Sequence, residues 1–206
     1  MRSKNETDGQ KRSFIEEARR KQIIAAAVET IAEVGFPKAS LARIAATAGV
    51  SKGVISYHFA GKDELVDQVV VTVYTEIADT LLPRLAEQEK ATDVVRAHVL
   101  GVAEYALAHP DRLRALTEIF VHDRGADGVP RYGAVAAEPL YESLEGLYRE
   151  GQARGELREF DVRVMAVTQQ SAIDAMFGYW ISRPETDLLA HARELADLLV
   201  RAVRPD

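Results

Sequence analysis

Residues 40–65 read SLARIAATAGVSKGVISYHFAGKDEL, and this stretch decides the fold. Ser40 offers a hydroxyl to the free amides of Ala42 or Arg43, which starts a short helix that ends at Gly49. Ser51 starts a second helix, running to about Phe59, and Gly61 breaks the chain before a longer one that opens with Lys62-Asp63-Glu64. Between the two short helices, Ala48-Gly49-Val50 leaves room only for a tight turn. Ile44, Ala45, Ala48, Val50, Phe59 and either Val54 or Ile55 can bury, and Ala45 is small enough to let the helices cross closely. This is a helix-turn-helix. Its second helix exposes Lys52, Gly53, Ser56, Tyr57 and His58, donors that suit phosphates and base edges in a major groove about 12 Å wide.

Upstream, Ile23, Ala27, Ile31 and Val34 recur at helical spacing from Glu16 onward, and Gly35-Phe36-Pro37 stops that helix. Residues 1–13 are polar and charged without periodicity and read as a flexible basic arm. Downstream, the long helix after Gly61 carries Leu65, Val69, Val73, Ile77 and Leu81 on one side, a rigid lever. Asp93 to Ala108 places Val95, Val99, Val102 and Ala106 on one face, and Pro110 suits the first position of the next helix. Asp123 to Pro130 reads as the long loop. Pro139 begins or kinks a helix that stops near Gly155. The last two helices, about Asp161 to Ser182 and Glu185 to Val203, are apolar around more than half their circumference. Val162, Met165, Ile173, Met176, Phe177, Trp180 and Ile181 cannot all face one core, so a partner subunit is expected beside the intramolecular packing. No segment alternates as a strand does, and the fold class is all-α.

A chain of 206 residues with 47% hydrophobic content can bury a core as one compact unit or two intimately packed helical ones. No apolar run approaches the roughly 18 to 20 residues that span a bilayer, and the amino terminus lacks an apolar signal core. The expected location is cytoplasmic, with no membrane partner. The absence of cysteine removes disulfides, thiolate metal sites and cysteine nucleophiles together. The net charge of -6 is unevenly distributed: residues 1–62 carry 11 Lys/Arg against 6 Asp/Glu, and residues 63–206 carry 15 against 26. The basic end is the candidate polyanion-binding end.

The helix-turn-helix segment closely resembles the signature of the tetracycline-repressor (TetR) family. The match runs through Ser40, Ile44, Ala45, Ala48 to Ser51, Lys52, Gly53, Tyr57, His58, Phe59, Lys62 and Leu65. Glu150-Gly151-x-x-x-Gly155-Glu156-Leu157 is a looser likeness farther on. The resemblance implies an all-α protein of about nine or ten helices. Residues 14–62 would form an N-terminal three-helix DNA-binding domain, and residues 63–206 a C-terminal helical bundle for ligand binding and dimerisation. It implies a homodimer on palindromic double-stranded DNA, acting as a repressor that a small-molecule effector releases. Tyr57 and Lys62 would clamp phosphates, while Lys52 would reach a phosphate or a guanine edge. Arg43 would meet the DNA backbone or pair on the surface. Ser40, Ser51, Gly53, Val54, Ser56 and His58 complete the expected DNA-facing set, with Ser56 standing where the family often has a bulkier residue.

Other chemistries find little in the chain. There is no Ser-His-Asp signature, glycine-rich phosphate loop or outstanding carboxylate pair for an enzyme. His98, His109, His122 and His191 never fall at metal spacing, so neither a metal nor a cofactor is expected. Tyr105, Phe120, Tyr132, Tyr141, Tyr148, Met176 and Trp180 are candidate effector-pocket residues, read against the alternative of plain core, and Glu118, Asp123 and Asp174 are candidate polar anchors. A helix-turn-helix serving protein interaction alone is the nearest rival, and Lys52, Tyr57, His58 and Lys62 together argue against it.

Overall fold

A computed structural model describes residues 3–132 and 137–205, with side chains from Phe14 onward. Among these residues the fold is nine α-helices and one short 3-10 turn, with no strand beyond an isolated bridge between Arg124 and Pro130. The helices are α1 (Ser3–Val34), α2 (Leu41–Thr47), α3 (Lys52–His58), α4 (Lys62–Ala86), α5 (Ala91–Ala108), α6 (Pro110–His122), α7 (Glu138–Ala153), α8 (Val162–Ser182) and α9 (Leu188–Val203). None of them is long and apolar enough to cross a membrane.

Local chemistry accounts for most of the boundaries. Ser40 caps α2 through the Arg43 amide and Ser51 caps α3 through the Val54 amide, each at 3.3 Å. Asp161 and Asp187 do the same for α8 and α9 through Val164 and Ala190. The Asp187 cap is why α9 begins at Leu188 and not at Glu185. The expected start of α1 near Glu16 also needs correction. The helix runs back to Ser3 through the stretch read as an arm, because Lys, Glu, Gln and Arg are good helix formers and no proline interrupts them. Likewise α5 begins at Ala91, whose amide donates to Glu156 Oε2 at 2.7 Å, a partner 65 residues away.

Two hydrophobic cores form. The first joins Ile23, Ala27 and Ile31 of α1 with Ile44 of α2, Ile55 of α3, Leu65 and Val69 of α4, and Ala115, Leu116 and Ile119 of α6. The second joins α5, α7, α8 and α9 around Val95, Val99, Tyr148, Ile173, Met176 and Ala192. Packing therefore crosses the boundary expected after Lys62, since the head that carries α2 and α3 takes part of its core from α6. At the far end, α5 and α7 meet over Gly151. A Cβ there would lie 2.8 Å from Ala91 Cβ and 2.6 Å from Leu157 Cδ1, so only glycine lets the helices approach this closely.

Candidate nucleic-acid interface and adjoining cavity

The turn between α2 and α3 closes on Gly49, whose φ of +64° is a conformation that L side chains rarely adopt. The amide of Val50 donates back to Ala45 O at 3.0 Å, which satisfies a carbonyl at the end of α2. Ile44 and Ile55 then bury completely and hold the two helices across one another. Of the two alternatives in α3, Ile55 is the core residue and Val54 packs only half-buried at its margin. This arrangement turns Ser51, Lys52, Gly53, Ser56 and Tyr57 to solvent, with Tyr57 74% exposed. Ser40 and Arg43 are exposed on the adjoining start of α2. Among the described residues, neither Arg43 nor Lys52 enters an ion pair. An exposed row of donors on the basic end of an acidic chain is suited to a polyanion.

The other two expected contacts are less free. His58 is half-buried, and its ring meets that of Tyr57 edge to face at 5.0 Å. Lys62 is also half-buried: its ammonium donates to Phe36 O at 3.0 Å and lies 4.0 Å from the centre of the Phe36 ring. Burial pulls that ammonium below its ordinary range, with Asp123 and Asp63 opposing. One of its three donors thus braces the turn after α1.

Two residues that the motif did not single out hold the interface in place. Arg20 of α1 donates to His58 O and stacks 4.4 Å from the Phe59 ring, fastening the end of α3. Gln22 donates to Ala48 O at 2.7 Å, fastening the turn. Their partners lie 38 and 26 residues away, and no local spacing announces them.

On the other side of α6 lies a cavity of about 920 Å³, walled by α4, α5, α6, α7 and α8. Tyr105 and Phe120 line it. Tyr141, Tyr148, Met176 and Trp180 do not: Tyr148 and Met176 are buried within the second core, and Trp180 packs against that core from outside. Of the three polar anchors, Asp174 lines the cavity. Glu118 instead accepts the Phe36 amide at 3.0 Å, and Asp123 pairs with Arg131 at 3.2 Å. The aromatic wall also includes Tyr74 and Tyr132, with Phe120 stacked between them at ring distances of 6.3 and 5.6 Å. His98 lines the cavity as well, its Nδ1 2.8 Å from Gln169 Nε2, and burial brings its pKa down to about 4, so the ring is neutral near pH 7.

Helix α6 has two working faces. Ala115 and Ile119 belong to the core beneath α2 and α3, while Leu113 and Thr117 face the cavity, and Leu116 and Phe120 take part in both. Anything that changes the shape of the cavity therefore bears on the seat of the α2–α3 unit.

Known proteins share this fold. The profile of the family described as "Bacterial regulatory proteins, tetR family" matches residues 23–69. Over 84 residues the chain is 40% identical to the HTH-type transcriptional regulator BetI 1 of Chromohalobacter salexigens, spanning 40% of this chain and 42% of that protein, less than half its length. Over 143 residues it is 39% identical to the HTH-type transcriptional regulator BetI of Escherichia coli (strain K12 / DH10B), covering 68% of this chain and 73% of that one. Among solved structures, the transcriptional regulator FadR of Bacillus subtilis in complex with stearoyl-CoA superimposes with a TM-score of 0.77 at 23% identity, over 87% of this chain and 97% of that chain.

Proposed function

Because the chain belongs to the TetR family of bacterial transcriptional regulators, we propose that it is a ligand-responsive repressor: a homodimer that seats two copies of α3 on a palindromic operator and is released by a small molecule held in its cavity. The observation that carries this reading is the outward row Ser51, Lys52, Gly53, Ser56 and Tyr57 on a rigidly capped helix, set on the net-basic end of the chain. In this reading Tyr57 and Arg43 meet phosphates, Lys52 a phosphate or guanine edge, and Ser40 and Ser51 offer their helix starts to the backbone. Val54, Ser56 and His58 lie beside them at the groove, and Lys62 adds positive charge while bracing the turn.

Exposed apolar residues on α8 and α9 support the dimer reading. Val164, Tyr179 and Leu198 are 61%, 53% and 62% exposed there, and Val167 lies between the first two. An apolar strip on two long helices is suited to a two-fold partner. A dimer also supplies two recognition helices for half-sites that repeat every ~34–36 Å along DNA. The effector is a small, mainly apolar or aromatic molecule. The FadR neighbour of Bacillus subtilis holds a ligand with a long apolar chain, stearoyl-CoA.

The test is selection of fragments from sheared genomic DNA by the purified protein, followed by gel shift on the fragments recovered. The expected outcome is enrichment of an inverted repeat, bound by an even number of subunits and with affinity falling steeply as salt rises. Failure to enrich any sequence would favour the rival in which the helix-turn-helix serves protein contacts alone.

A further inference from the structure

Among the described residues, the walls of the cavity carry one carboxyl side chain, that of Asp174, and no Lys or Arg. His98 does not supply a cation, because its ring is neutral near pH 7. Two guanidinium groups share carboxylates with the wall tyrosines Tyr105 and Tyr132 and are engaged there: Arg112 pairs with Glu76 at 2.7 Å and Arg131 with Asp67 at 2.6 Å.

Two tyrosine donors on the walls are engaged in the same way, while the hydroxyls of Tyr74, Thr117 and Ser143 also line the cavity. Tyr105 donates its hydroxyl to Glu76 and Tyr132 donates to Asp67, so these rings offer the cavity their faces more than their protons. The Gln170 amide donates to Asp174 Oδ1 at 2.8 Å, and among the described residues nothing donates to the second carboxylate oxygen. An anionic ligand entering here would leave water without meeting a counter-charge, which is costly in an apolar enclosure. A cation would find a carboxylate on one wall and the stacked faces of Tyr74, Phe120 and Tyr132 on another, both of which attract positive charge.

We propose that the cavity selects a lipophilic organic cation, an amine or onium ion with apolar or aromatic substituents, with Asp174 as its counter-charge. This inference rests on the reading of the cavity as an effector site and names the chemical class of the effector. The carboxyl itself is poised for the role. Its surroundings already disfavour the charged form, raising its pKa from the ordinary value through desolvation, and a bound cation relieves that penalty.

Tetraphenylphosphonium and tetraphenylborate, alike in size and shape and opposite in charge, separate charge from hydrophobic fit. Titrated calorimetrically into the full-length protein, the phosphonium is expected to bind at least tenfold more tightly than the borate. Asp174→Asn should cost the phosphonium at least tenfold and leave the borate unchanged or tighter. The comparison on the unaltered protein stands whether or not that variant folds. Equal or tighter binding of the borate, a phosphonium affinity unmoved by Asp174→Asn in a folded variant, or binding of neither ion overturns the proposal. If a long-chain acyl-CoA binds instead and releases operator DNA, the proposal falls while the ligand-responsive reading stands. If the phosphonium binds with the expected charge preference but leaves operator affinity unchanged, the site assignment stands and the release reading falls.

Discussion

Gly49 holds the α2–α3 turn at φ +64°, where a Cβ would meet no neighbouring atom but would strain the backbone. Gly49→Ala is therefore expected to lower stability by about 1 kcal/mol through conformation alone, measurable as a fall in denaturation midpoint with unchanged slope. The cations on the same head separate by role. Replacing Arg43 or Lys52 with alanine should reduce the steepness of log affinity against log salt by about 0.9 for each phosphate no longer neutralised. Lys62→Ala should weaken binding mainly through the brace on Phe36 O, lowering stability and leaving the salt slope closer to that of the parent. Measuring slope and melting temperature on the same three variants separates the roles, and a Lys62 variant that melts normally but loses slope would restore it to the phosphate set. The helix caps are legible in the sequence at this scale because Ser40 and Ser51 act three residues along the chain. Arg20 and Gln22 are not, since their partners come near only after α1 has packed against the head.

Helix α5 carries a buried titration that makes stability depend on pH. Burial holds the His98 pKa at about 4, against about 6.5 in an unfolded chain. Between those values the unfolded chain binds a proton that the folded one excludes. The stabilising contribution is thus complete above pH 6.5 and falls as the pH drops toward 4, by up to about 3 kcal/mol and less to the extent that water enters the cavity. His98→Gln should flatten this part of the stability profile, read by urea unfolding at pH 7, 5.5 and 4.5; an unaltered profile would show that carboxylates elsewhere dominate it. Periodicity locates α5 to within two residues at its start, and Pro110 marks the start of α6. Periodicity fails at the start of α1, where helix propensity without an apolar face extends the helix to Ser3. It also cannot rank aromatic and other large apolar residues. Met176 and Phe120 look alike in a helical repeat, yet Met176 is buried in the second core and Phe120 lines the cavity.

For the molecule as a whole, the exposed strip on α8 and α9 makes the oligomeric state the decisive property. Val167→Glu combined with Leu198→Glu is expected to shift a dimer to monomers in sedimentation at micromolar concentration, and to weaken operator binding far more than either change weakens folding. A parent protein that sediments as a monomer would remove the two-fold arrangement from the proposal. The helical architecture and the helix-turn-helix are open to reading because both rest on local signals. The cavity is not, because its walls come from five helices spread over more than a hundred residues of sequence. Helix α6 adds a constraint on how such a protein can be rebuilt. A fragment cut after Lys62 would lose Leu65, Val69, Ala115, Leu116 and Ile119 from beneath its recognition unit and leave a hole among Ile23, Ile31 and Ile55. The head is thus no detachable cassette: a chimera that borrows its DNA preference must import α6 too, and one wall of the cavity travels with it.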